Sequence, residues 1–144
     1  MGAFTILVTK EAVTMALALQ NKGNVANFLS IEFLDQRDDC FLFDCFFPEE
    51  ARNPLLFVQG GFIASALDDA TAVTVSMHTS GTKLPNSTDI HVTFHRPLSL
   101  GKARMKTKII KLGKRIVSVD GKIYTQRNKL AASMLHTAML FDPN

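Results

Sequence analysis

Residues 59–78 constrain this chain more than any other stretch. They read QGGFIASALDDATAVTVSMH, with apolar or small side chains on nearly every side of a 3.6-residue helical wheel. Such a helix has almost no face suited to water, so the rest of the chain must wrap around it. Asp68 and Asp69 nevertheless stand at its middle, where carboxylates are costly unless they are paired or used.

The flanking segments supply the wrapping. Residues 9–21 are good helix formers, with Gly23 placed as a stop. Residues 28–34 and 40–47 are rich in Phe, Leu and Ile around a polar turn, which predicts a two-stranded hairpin. Pro48 and Pro54 mark a loop. After Pro85 the pattern changes to period two. Thr88, Ile90, Val92 and Phe94 share one strand face, opposite Asp89, His91, Thr93 and His95. Ala103, Met105, Thr107 and Ile109 alternate with Lys102, Arg104, Lys106 and Lys108. Residues 115–126 and 130–141 give two more strands. Short links between consecutive strands imply antiparallel pairing, so the class is α+β: a curved antiparallel sheet around one long helix.

At 144 residues the chain fits one domain, 1–144. Apolar runs reach about six residues, far below the ~20 that a spanning helix needs. The N-terminus lacks the basic flank of a signal peptide, and Ile6 breaks the myristoylation pattern. The expected location is the cytoplasm, with Cys40 and Cys45 as reduced, buried apolar residues. Charge is uneven. Residues 1–95 carry 5 Lys/Arg against 11 Asp/Glu, and residues 96–144 carry 11 against 2. The basic third suits phosphates, nucleic acid or an acidic surface. Without Trp or aromatics interleaved among residues 102–115, a nucleic-acid role is weak.

Motifs remove further classes. There is no G-x-S-x-G elbow, so Ser65 reads as a small packing residue, and no phosphate or dinucleotide loop is present. His91 and His95 are four apart, which on a strand is roughly 13 Å, so no metal site is expected there. What remains is the junction Gln59-Gly60-Gly61. The first amides of a helix have no partner within it and attract an approaching oxygen. The glycine pair suits a plain tight turn equally well.

Asn53, Gln59-Gly60-Gly61 and Leu67-Asp68-Asp69 together resemble the hotdog-fold acyl-CoA thioesterases. Within them they are most similar to the branch holding the phenylacetate-pathway thioesterase and mammalian thioesterase superfamily member 2. The segment from Ser87 to Phe94 with Arg96-Pro97, and Lys111-Leu112-Gly113-Lys114-Arg115, carry the likeness onward, so that it covers roughly residues 50–141. The resemblance implies a hotdog fold and hydrolysis of an acyl-CoA, with coenzyme A as part of the substrate and no separate cofactor. It implies that the Gly60 amide polarises the thioester carbonyl, with Asn53 assisting; Gly61, a glycine, lets a bound ligand come close to the backbone. Asp68 would activate the attacking water, and Ser87 would support that water or the carboxylate. The family often has His where this chain has Gln59, whose amide can donate a hydrogen bond but cannot carry a proton at neutral pH. Asp69, about 100° around the helix from Asp68, reads as a surface or pairing group.

On one helix, eight residues separate Gly60 from Asp68 by roughly 12 Å. Both cannot reach one thioester carbon from the same chain. If both act, the site lies between two copies, as the dimers and paired dimers of the family imply. Arg96, Lys111, Lys114 and Arg115 are candidates for the coenzyme A phosphates, with ordinary surface charge as the competing reading. A non-catalytic acyl-CoA binding or sensing protein of the same fold is the alternative, supported by Gln59.

Overall fold

The computed structural model describes residues 7–143; residues 1–6, which carry most of the signal and lipidation reading, lie outside them. Helix α1 (Lys10–Gln20) opens where the Thr9 hydroxyl accepts the Ala12 amide at 3.1 Å. Gly23 does not simply end it. It starts a second short helix, α2 (Asn24–Phe28), so the strand expected from residue 28 begins only at β1 (Glu32–Arg37). Leu29 explains the difference: it is fully buried, and its carbonyl accepts the Phe46 amide, so the apolar run marks a core anchor between helix and strand.

Strand β2 (Cys40–Phe47) completes the hairpin. Helix α3 (Gly60–His78) follows, then β3 (Leu84–Phe94), β4 (Gly101–Leu112), β5 (Ile116–Tyr124) and β6 (Leu130–Phe141). All six strands form one antiparallel sheet in the order β1-β2-β4-β5-β6-β3. The sheet curves around α3, as the period-two pattern and the apolar helix require. Phe41, Phe43 and Phe47 of β2, Met105, Ile123 and Met134 fill the space against Leu67 and Met77. Each such side chain contributes roughly 1.5–3 kcal/mol on burial. Gly121 in β5 sets the close approach of α3: a Cβ there would lie 3.0 Å from the Thr71 methyl.

The basic face of β4 is matched within the chain. Asp44, almost fully buried, pairs with Lys102 and Arg104 at 3.1 Å each, and Lys108 meets Asp39 at 3.1 Å. Cys45 is buried as expected, its thiol pushed up to about 12 chiefly by burial, whereas Cys40 is only half-buried. Among the described residues no helix is long and apolar enough to cross a membrane.

Candidate active site

Two groups of expected residues lie along α3. At its N-terminus, Gln59 is the cap residue but makes no side-chain capping bond, and its own amide is spent on the Ala51 carbonyl at 2.8 Å. Among the described residues no acceptor takes the Gly60 amide. A Cβ on Gly60 would lie 3.0 Å from the Phe94 ring, so a larger residue here would have to push that ring aside. The Asn53 carboxamide oxygen accepts the Leu55 and Phe57 amides at 2.9 and 3.1 Å, which shapes the preceding loop and leaves its NH2 group to donate.

Two turns further on, Asp68 is half exposed on a helix whose following residues are mostly buried. Ser87 Oγ lies 3.4 Å from Asp68 Oδ1, and His136 Nε2 lies 3.6 Å from the same oxygen. Strict alternation predicts otherwise, because it puts Ser87 on the same side as Asp89 and His91. A β-bulge corrects it. Ser87 pairs with Ala138 and Asp89 with Thr137, so Thr88 is the extra residue and Ser87 turns inward with Ile90, the partner of His136. Thr88, expected to share a face with Ile90, instead donates its hydroxyl to the Thr137 carbonyl at 3.1 Å.

His136 is the residue that sequence reasoning missed. It sits in an ordinary period-two strand, 1% exposed, bonded to Thr71 Oγ1 at 2.6 Å and to Ser87 Oγ at 2.7 Å. Burial holds its imidazole below the ordinary 6.5, against the opposing pull of Asp68, and burial lowers His78 as well. Below about pH 6.5 the unfolded chain therefore binds more protons than the folded one. Stability should be full above that pH and fall as pH drops through the window beneath it. Urea midpoints at about pH 5 and about pH 7.5 should differ less in His136→Gln than in the parent, with His78 supplying what remains.

Asp69 lies on the flank of α3 and pairs with Gln20 of α1 at 3.3 Å; burial raises its carboxyl, partly offset by that bond. Ser65 donates to the Gly61 carbonyl at 2.9 Å, which fits a packing role. The four candidate phosphate ligands divide. Arg96 follows β3 and lines an open cleft of about 620 Å³ with Lys102, Arg127 and Lys129. Lys111, Lys114 and Arg115 flank the opposite end of β4, about 35 Å along the strand. One ligand within one chain cannot touch both groups.

The sequence profile of the thioesterase superfamily matches residues 57–132. No functionally curated protein matches the chain. Among solved structures, a Haemophilus influenzae thioesterase is 20% identical, covering 96% of this chain and 94% of its own, with a TM-score of 0.80. The E. coli PaaI protein, from the phenylacetic acid degradation operon, is 17% identical over 88% of this chain and 94% of its own, at a TM-score of 0.76. A Streptococcus mutans protein bound to acetyl CoA is 13% identical over 79% of this chain and 90% of its own, at 0.70. These neighbours share the hotdog fold. Since the profile covers more than half of the 144 residues, from the loop before Gly60 into β6, the chain belongs to the thioesterase superfamily.

Proposed function

We propose that the protein hydrolyses acyl-CoA thioesters to a free acid and coenzyme A at sites shared between two copies of the chain. The observation that carries this reading is Asp68, a carboxylate midway along a largely buried helix with Ser87 and His136 beside it. Asp68 takes a proton from water as the water oxygen bonds to the thioester carbon. The Gly60 amide of the other copy holds the developing oxyanion, with Asn53 and Gln59 as further donors and Gly61 leaving space. The C–S bond then breaks, and the thiolate recovers the proton from Asp68.

An open edge supports the pairing of copies. β3 pairs with β6 on one side only, and Ile90 and Phe94 on it are 41% and 53% exposed. Joining two β3 edges antiparallel places each Gly60 end beside the partner's Asp68 region. The same operation brings Arg96 of one copy toward the end of the partner that holds Lys111, Lys114 and Arg115, so the split phosphate ligands converge only across the dimer. Two dimers joining as a tetramer is the higher assembly we expect.

Phosphate contacts far from the thioester act equally in ground and transition states, so Arg115→Ala and Lys114→Ala should raise KM and leave kcat near the parent value. Lys106→Ala, on the outer face of β4, is the control. The preference for whole coenzyme A thioesters over pantetheine thioesters should shrink with salt, since exposed charges screen over ~10 Å at 0.1 M. Equal KM for the two at low salt would remove phosphate recognition.

The second reading, acyl-CoA binding without turnover, is favoured by Gln59, which cannot move a proton. Release of free thiol from acetyl-, octanoyl-, palmitoyl- and phenylacetyl-CoA separates the two. Turnover on any member supports the hydrolase; tight binding with no thiol release supports the binder.

A further inference from the structure

His136 is bonded on both ring nitrogens, so the nitrogen that carries the proton decides which way the Ser87 hydroxyl points. Thr71 has one hydroxyl hydrogen, and that hydroxyl faces the Leu67 carbonyl at 2.7 Å and the Asp68 carbonyl at 3.0 Å, the usual back-bond of a helical threonine. While that hydrogen stays on the carbonyls, Thr71 accepts from His136 Nδ1, 2.6 Å away. In that arrangement Nδ1 holds the hydrogen and Nε2 presents its lone pair. Ser87 Oγ, 2.7 Å from Nε2, must then donate to it.

The Ser87 hydrogen then goes to the ring at 2.7 Å in preference to Asp68 Oδ1 at 3.4 Å, whereas the opposite tautomer would send it to Asp68. The Ser87 lone pairs and the Asp68 carboxylate are then both acceptors within reach of one position. A water there would donate one hydrogen to each and keep a lone pair free for the carbonyl carbon.

We propose that His136 is a positioning residue: held by Thr71, it turns the Ser87 hydroxyl so that Ser87 and Asp68 together grip both hydrogens of the attacking water. This rests on the hydrolase reading above. Thr71 and Asp68 of α3 and Ser87 of β3 are the polar groups facing the ring, and Asp68 alone of them is charged. Burial outweighs Asp68 and keeps the ring neutral, as the arrangement requires. A protonated ring would donate from Nε2, and Ser87 would lose its direction.

A double-mutant cycle tests this, with phenylacetyl-CoA and octanoyl-CoA as substrates. Ser87→Ala and His136→Leu should each lower kcat about tenfold with KM little changed, the size of one net hydrogen bond. Because His136 acts through Ser87, the double variant should lose no more than Ser87→Ala alone. Thr71→Val, nearly isosteric, should lower kcat about threefold by freeing the tautomer. Losses that multiply, or a His136→Leu that keeps full kcat, would overturn the proposal. Should His136→Leu fail to fold, Thr71→Val in the same cycle with Ser87→Ala decides between the two outcomes. Ring nitrogen-15 shifts separate this proposal from the hydrolase reading. If no thioester is turned over, the hydrolase reading falls alone, while a hydrogen on Nδ1 in the parent that is lost in Thr71→Val still supports the hold on Ser87. A hydrogen on Nε2 in the parent overturns it.

Discussion

Asp68→Asn is expected to lower kcat by ~100-fold or more while changing substrate binding much less. The amide keeps the shape and size of the carboxyl, so packing on α3 survives. What it loses is the ability to take a proton from water. The neighbouring Asp69→Asn is the informative comparison, since Asp69 points to the α1 side and is engaged by Gln20 at 3.3 Å. It should cost far less on plain acyl-CoAs. Steady-state kinetics that rank the two substitutions the other way would show that the reacting water lies on the Asp69 flank.

A comparable loss should follow when the copies are separated. Gly60 and Asp68 stand on one continuous helix, α3, roughly 12 Å apart along its axis. On the proposed shared site, a monomer holds two half-sites that cannot meet. Ile90, 41% exposed near the middle of the open β3 edge, is the place to intervene. Ile90→Lys puts a charge on the pairing edge of each copy, which would face like charge in the dimer. Light scattering should show a dimer or larger for the parent and a monomer for the variant, with activity reduced ~100-fold or more. A fully active monomer would refute the shared site.

Much of this architecture is legible in the sequence for simple reasons. The all-round apolar pattern of residues 59–78 admits only a wrapped helix, and the observed α3 begins one residue inside it. Ala103, Met105 and Thr107 alternate with lysines and arginine and are buried as that pattern demands. Other features have no local signature. The bulge at Thr88 moves Ser87 across the sheet, and neither Ser87, Thr88 nor Asp89 is a Gly or Pro that would announce it. His136 occupies an inward strand position where any apolar residue would serve; only its long-range partners, Thr71 and Ser87, distinguish it. The basic surplus on β4 likewise looks available in the sequence, because Asp44 and Asp39, which offset Lys102, Arg104 and Lys108, come from a strand and turn some sixty residues away.

Mixing two crippled variants tests the shared site most directly. In the proposed site Asp68→Asn damages the water side, and Asn53→Ala/Gln59→Ala damages the carbonyl side. Each alone should be strongly impaired as a homodimer, the second less so because the Gly60 amide remains. If every site takes its carbonyl donors from one copy and Asp68 from the other, a mixed dimer contains one doubly damaged site and one intact site. Dissociation and reassociation at equal amounts makes about half of the dimers mixed, so about a quarter of parental activity per chain should return. No recovery above the two separate variants, with mixed dimers shown to be present, would mean that Asn53, Gln59 and Asp68 serve one site from the same chain.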